Sequence, residues 1–345
     1  MLNGFAAGAA YSKNKFFPQI NDIVSFGDSY TDESRLGYFI GSKGVPPPVG
    51  WVAPPSNTTA SGGKSWPRIV SDNTGIELHN YAVSGAVCSN KLTPKYCDGC
   101  LPADVPFPSV TEYEVPAFLA DQKQNPRKPL VDLKKTIFTI WIGTNDLGNG
   151  ALITDNQLNG ATLPDVTNCA VNAVKKLYAN GARNFIFQNV APLHRAPQYN
   201  LPSLGGVGSP NHYWPSKEQD LKGNLTLATV RMKELVYSAN EIYKYQIKDL
   251  AKELKGAKIA QFDSFGLISD ILNKPKQYLA APYNATGYSW HCQPGNCGES
   301  YTLDKKDGYA WYDELHPSER TSRVIADEIA KTIAGKSKWA TYYEN

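Results

Sequence analysis

Long hydrophobic runs are missing from this sequence. Nowhere do 18 apolar residues follow one another, so no membrane-spanning helix is expected. Charge of one sign is missing too. The 35 Lys and Arg residues nearly balance the 32 Asp and Glu, net charge is +3, and no basic block stands out. That excludes the electrostatic footprint of a nucleic-acid or acidic-membrane binder. Histidine is scarce, five in 345 residues, and no clustered metal-ligand spacing occurs. Neither a metal nor a cofactor is therefore expected. Internal repeats and low-complexity tracts are absent. The opening segment MLNGFAAGAA is short and has no basic residues, which makes it a poor signal peptide.

What is present suffices for a sizeable core: 41% of the residues are hydrophobic. A single domain over residues 1–345 is expected, with 1–20 as an N-terminal extension and 336–345 as a C-terminal tail, and a monomer. Five apolar runs read as buried strands: Ile23–Phe26, Ile76–Ala82, Ile137–Ile142, Phe185–Val190 and Ile259–Phe262. Near-continuous Ile, Val and Phe is the pattern of strands covered on both faces. Between them lie amphipathic stripes: Val166, Cys169, Ala173, Val174 and Leu177, ended by Asn180-Gly181, and a longer one from Leu225 through Met232 and Val236 to Leu250. A last helix follows Pro317. The alternation predicts a three-layer α/β/α fold on a mostly parallel sheet.

Six cysteines and three N-x-S/T sequons, at Asn57, Asn224 and Asn284, favour an oxidising, extracellular setting, hence a secreted glycoprotein. Cys292 and Cys297 share the loop HCQPGNC, which suits a small disulfide-closed turn. Cys169 falls on an apolar stripe and reads as a buried free thiol, which leaves an odd partner among Cys88, Cys97 and Cys100.

Long Pro, Gly, Trp and Tyr-rich loops leave the carboxyl ends of several strands, the rim where open α/β sheets bind ligands. The first strand ends in Phe26-Gly27-Asp28-Ser29-Tyr30. There a serine hydroxyl at the start of a helix (Asp32–Phe39) would sense partial positive charge; a plain N-cap is the competing reading. Asn145, after the third strand, and Gly85, after the second, could join the Ser29 N–H as donors to an oxyanion. His316 in Asp313-Glu314-Leu315-His316-Pro317 is the candidate base, and a carboxylate three residues earlier can fix its tautomer. Glu314 is the competing carboxylate, and His194 the second-choice histidine. Asp28 reads as a structural hydrogen-bonder.

FGDSYTD, NYAVSGA, IWIGTND and DELHP, in this order, resemble the four blocks of the GDSL/SGNH hydrolase family, and they span residues 26 to 317. The resemblance implies a flavodoxin-like, five-stranded parallel sheet in order 2-1-3-4-5. It places the nucleophile on Ser29, the oxyanion hole on Ser29, Gly85 and Asn145, and the acid and base on Asp313 and His316. The context of Ser29 is not the G-x-S-x-G elbow. VPPPVGW and SGGKSWP further resemble fungal secreted acetylesterases of carbohydrate esterase family 16, which act on acetylated sugars of plant cell wall. The expected partner is an acetylated oligosaccharide or another small ester, and Trp51, His194, Trp290 and Trp311 are its candidate contacts. Two other readings stay open: a lipase or phospholipase of the same fold, and a non-catalytic carbohydrate-binding protein.

Overall fold

The computed structural model describes residues 16–345 except 98, 159, 210, 294 and 295; the side chains of 293–299 are likewise outside it. All five expected strands form: β1 (Asp22–Gly27), β2 (Glu77–Asn80), β3 (Thr136–Trp141), β4 (Asn184–Gln188) and β5 (Lys258–Phe262). They are parallel and lie in the order 2-1-3-4-5. Every residue of β3 and β4 is buried. Helices cover both faces, so no polar side needs to alternate with the apolar one.

The C-terminal tail does not trail away. Ala340–Glu344 forms a sixth strand, β6, antiparallel to β5, with Tyr342 opposite Ala260. Asp263 N–H bonds the Trp339 carbonyl, and Gly256 N–H bonds the Asn345 carbonyl. Five residues with two adjacent tyrosines gave little periodicity to read; the unpaired edge of β5 supplies the template.

Among the described residues, seven helices of at least seven residues carry the connections: α1 (Arg35–Gly41), α2 (Trp66–Thr74), α3 (Val115–Lys123), α4 (Leu163–Ala179), α5 (Thr226–Glu253), α6 (Ser264–Asn273) and α7 (Glu319–Ile333). α2 packs on α7 and α4 packs on α5. Right-handed crossovers put these pairs on opposite faces of the sheet. α4 begins where Asp165 accepts from Thr162 N–H at 2.8 Å, and Gly181 beyond its end has φ +104°. α5 buries Met232, Val236, Ala239, Tyr243, Ile247 and Leu250, the expected stripe.

The cysteines correct one expectation. Cys169 is not a free thiol: it is bonded to Cys88, and Cys97 is bonded to Cys100. The stripe reading was right about burial, because Cys169 is 9% exposed, but its apolar surroundings include the Cys88 sulfur. Cys292 is disulfide-bonded, and the side chain of its expected partner, Cys297, lies outside the described residues.

Cys88–Cys169 ties the loop after β2 to α4 across 81 positions of sequence. Replacing both cysteines with alanine should cost about 2–4 kcal/mol, chiefly by freeing the unfolded chain. Urea unfolding should show the lower midpoint. A stability within about 0.5 kcal/mol of the parent, the scatter of neutral surface changes, would refute the tie.

Candidate active site

β1 ends at Gly27 with φ +150°, and a Cβ there would stand 2.2 Å from the Trp141 carbonyl oxygen. Only glycine lets the chain turn so close to β3. The turn is closed by Thr31 and Asp32 N–H on the Asp28 carbonyl, both at 2.9 Å. Asp28 Oδ1 accepts from Tyr30 N–H at 3.0 Å, in keeping with a structural role, and burial lifts its carboxyl to about 6. The helix after Ser29 starts later than expected, at Arg35. Asp32 caps that start through Ser34 and Arg35 N–H at 3.0 and 2.8 Å. Ser29 therefore sits on a free-standing turn, and a helix dipole does not act directly on it.

His316 reaches this turn from the loop before α7. Its Nε2 lies 2.8 Å from Ser29 Oγ, and its Nδ1 lies 2.9 and 3.0 Å from the two Asp313 oxygens. All three residues are at least nine-tenths buried. Asp313 also accepts from Leu315 N–H (2.9 Å), His316 N–H (2.7 Å) and the Tyr213 hydroxyl (2.9 Å). Burial pushes its carboxyl up, but the His316 charge and these donors outweigh burial and hold it below the usual carboxylate range. An ionised carboxylate at Nδ1 assigns the ring proton to that nitrogen and leaves Nε2 to accept from the serine. The Tyr30 and Tyr213 rings pack edge-on to the imidazole.

The two loops expected to stabilise an oxyanion meet beside Ser29's strand. Gly85 has φ +84°, and a Cβ on it would strike the Phe107 ring at 2.6 Å. Asn145 Nδ2 donates to the Ala86 carbonyl at 2.9 Å, which fixes the amide's orientation and leaves its second N–H unspent. Asp146 accepts from Cys88 N–H (3.0 Å) and Thr93 Oγ (2.8 Å), with burial raising its carboxyl to about 7. Asp32 accepts from both Ser84 N–H and Ser84 Oγ at 2.8 Å. Neither Ser29 N–H nor Gly85 N–H bonds an acceptor among the described residues. Sequence reasoning missed Tyr213, Phe107, Asp32 and Asp146 as supports. For Tyr213 no local signal existed, because it meets Asp313 across 100 positions.

The four candidate sugar contacts are scattered. Trp290 stacks on Tyr312 at 5.8 Å and meets His212 edge-on at 5.9 Å, and ring contacts run on from His212 through Tyr213 to His316. Trp311 is fully buried and cannot touch a ligand. Trp51 packs on Tyr38 and under the Arg35 guanidinium. His194 lies between Tyr237 and Phe265, where burial lowers it to about 4. Aromatic composition located the rim but not which rings face it. Asn57 and Asn224 are exposed, whereas the Asn284 amide oxygen is engaged by Thr286 and Gly287 N–H. β1–β2 register also brings Asp22, Glu77 and His79 within 4.8 Å of one another, a grouping that sequence spacing concealed. It stands at the amino end of these strands, opposite the end from which Ser29 leaves.

The GDSL-like lipase/acylhydrolase family model matches residues 23–329. An acetylesterase of Hypocrea jecorina is 34% identical over 95% of this chain and 94% of its own length. The chain belongs to the GDSL-like lipase/acylhydrolase family. It is a carboxylic ester hydrolase. A second family relative, an acetylesterase of Thermothelomyces thermophilus, is 29% identical over 51% of this chain and 55% of its own. Among solved structures, an α/β hydrolase from the metagenome of Lake Arreo, Spain, aligns over 93% of this chain and 98% of its own with TM-score 0.42 and 12% identity. No helix among the described residues is long and apolar enough to cross a membrane.

The two neighbouring acids separate by environment. Glu314 is pushed up to about 7, first by burial and then by the nearby Asp313 charge. Asp313→Asn should lower kcat/KM by about three to four powers of ten, while Glu314→Gln stays within about tenfold; the reverse ranking would transfer the orienting role. A raised carboxyl stabilises the fold fully below its ordinary 4.5, and that contribution is lost as pH climbs through about 7. The melting temperature of Glu314→Gln relative to the parent should therefore rise between pH 4.5 and 8. A pH-independent difference would show that Glu314 takes up its proton alike in the folded and unfolded states.

Proposed function

We propose that this chain is a secreted acetylesterase that removes acetyl groups from carbohydrates through an acyl-enzyme. The 2.8 Å contact between Ser29 Oγ and His316 Nε2, with Asp313 behind the imidazole, carries the reading. His316 takes the Ser29 proton as Oγ attacks the ester carbonyl. The tetrahedral oxyanion is met by Ser29 N–H, Gly85 N–H and the free N–H of Asn145. His316 returns its proton to the departing sugar hydroxyl. It then deprotonates a water that releases acetate from Ser29.

The acetyl group is chosen because the relative matching nearly end to end is an acetylesterase. A sugar leaving group fits the Trp290, Tyr312 and His212 rim, where flat rings can cover sugar faces beside polar tips. Phe107, closed over Gly85, limits the room for a long acyl chain. Secretion is supported by the Cys88–Cys169 and Cys97–Cys100 disulfides and by exposed sequons at Asn57 and Asn224. A non-catalytic binding role would leave the ordered Ser29–His316–Asp313 chain without a purpose.

Nitrophenyl esters from acetate to palmitate test the acyl choice. The rate should be highest for acetate and fall steeply beyond about four carbons, because each excess methylene must displace packed side chains. Faster hydrolysis of octanoate or palmitate would establish the lipase reading instead. Ser29→Ala should lose several powers of ten in kcat and keep its fold. Activity within about tenfold of the parent would remove Ser29 from the reaction.

A further inference from the structure

The sixth strand widens the sheet. α5 lies over the sheet and touches β6 at its margin, and a groove of about 670 Å³ opens between them. Its helical wall is one face of α5. Tyr237, Glu241, Lys244 and Lys248 recur at i, i+4, i+7 and i+11, with Tyr245 alongside. Its floor is the cross-strand pair Gln261 and Thr341, followed on the same face by Tyr343 opposite Ile259. Nothing in the ester chemistry uses these residues.

A solvated helix face would be expected to carry charge and little aromatic surface. Here Tyr237 and Tyr245 are 51% and 59% exposed, in a concavity of ligand-binding size. Lys233 and Lys244 sit 5.8 and 5.6 Å from the two ring centroids and steady them. The Gln261 amide and the Thr341 hydroxyl make no side-chain hydrogen bond to a described residue. Two rings eight positions apart on a helix are offset by about 12 Å along its axis, the span of several linked sugar rings rather than one.

We infer that this groove is a second carbohydrate-binding surface, taking a linear, neutral chain of pyranoses. Exposed tyrosine rings cover the apolar faces of sugars, and Gln261, Thr341 and the lysines bond hydroxyls. A lipid would meet too much charge on this wall, and an anionic chain would be countered by Glu241 and Asp263. The inference extends the carbohydrate reading of the active site, and it gives that site a hold on long substrates independent of the ester being cut.

Titration calorimetry with xylohexaose and cellohexaose tests it on the Ser29→Ala protein, which binds without turnover. One or both sugars should occupy a site in addition to the active site. Adding Tyr237→Ala and Tyr245→Ala should abolish that site or weaken it at least fivefold, and the paired phenylalanine variants should retain it, since stacking needs the ring. In the active protein the two alanine changes should leave nitrophenyl acetate hydrolysis within twofold and slow deacetylation of polymeric acetylated xylan at least threefold. Equal binding of both sugars by the parent and the double alanine variant would overturn the groove. Should the parent fail to deacetylate xylan yet bind hexasaccharide through Tyr237 and Tyr245, the groove stands and the proposed substrate falls.

Discussion

A buried negative charge at Asp313 is the constraint around which the site is arranged. An ionised carboxylate that is 1% exposed would cost several kcal/mol if left alone. It is offset by two backbone N–H groups from its own turn, the Tyr213 hydroxyl and the His316 ring. Those donors can be gathered only if Asp313 to His316 fold into one tight turn. The same turn fixes the imidazole at Ser29. Glu314, one residue away, lacks that set of donors, and its second carboxyl oxygen finds no partner. Adjacent acids thus acquire opposite protonation behaviour: the His316 charge and the local donors lower Asp313, while burial and the Asp313 charge raise Glu314.

The loop carrying Gly85 is held in place from several sides, as the proposed role of its backbone amide requires. A flexible loop would have to be ordered at each turnover, and the order would be taken from transition-state stabilisation. Here Asp32 holds Ser84, Asn145 holds the Ala86 carbonyl, Asp146 holds Cys88, and Phe107 closes over Gly85. The Cys88–Cys169 bond adds a covalent tie to α4. Asn145 and Asp146 are consecutive, so one short turn after β3 both clamps the loop and presents an amide to it. The raised carboxyls of Asp28 and Asp146 come first from burial beneath the turn, and the Asp28 charge adds to the rise at Asp146.

Strand β6 connects stability with surface chemistry. It covers the edge of β5, which would otherwise be an unpaired row of amides and carbonyls. By widening the sheet beside α5 it forms the second side of the tyrosine-lined groove.

Local pattern by itself determined the five strands and the principal helices, and the ordered blocks singled out Ser29, His316 and Asp313, which the structure brings within hydrogen-bond reach of one another. Buried strands need continuous apolar runs, and the ordered blocks sit at fixed places relative to strand ends. Only the tertiary structure decided matters of long-range contact. It paired Cys169 with Cys88 where an apolar stripe looked the same as one holding a thiol. It brought Tyr213 to Asp313, buried Trp311, and packed Trp51 on Tyr38 and His194 between Tyr237 and Phe265, because a loop aromatic's sequence context does not say which side of the loop packs. It delayed the helix after Ser29 to Arg35 through the Asp32 cap, and it recruited the C-terminal tail as a strand. Each of these depends on partners tens to hundreds of positions away or on a single side-chain cap, and hydrophobic periodicity records neither.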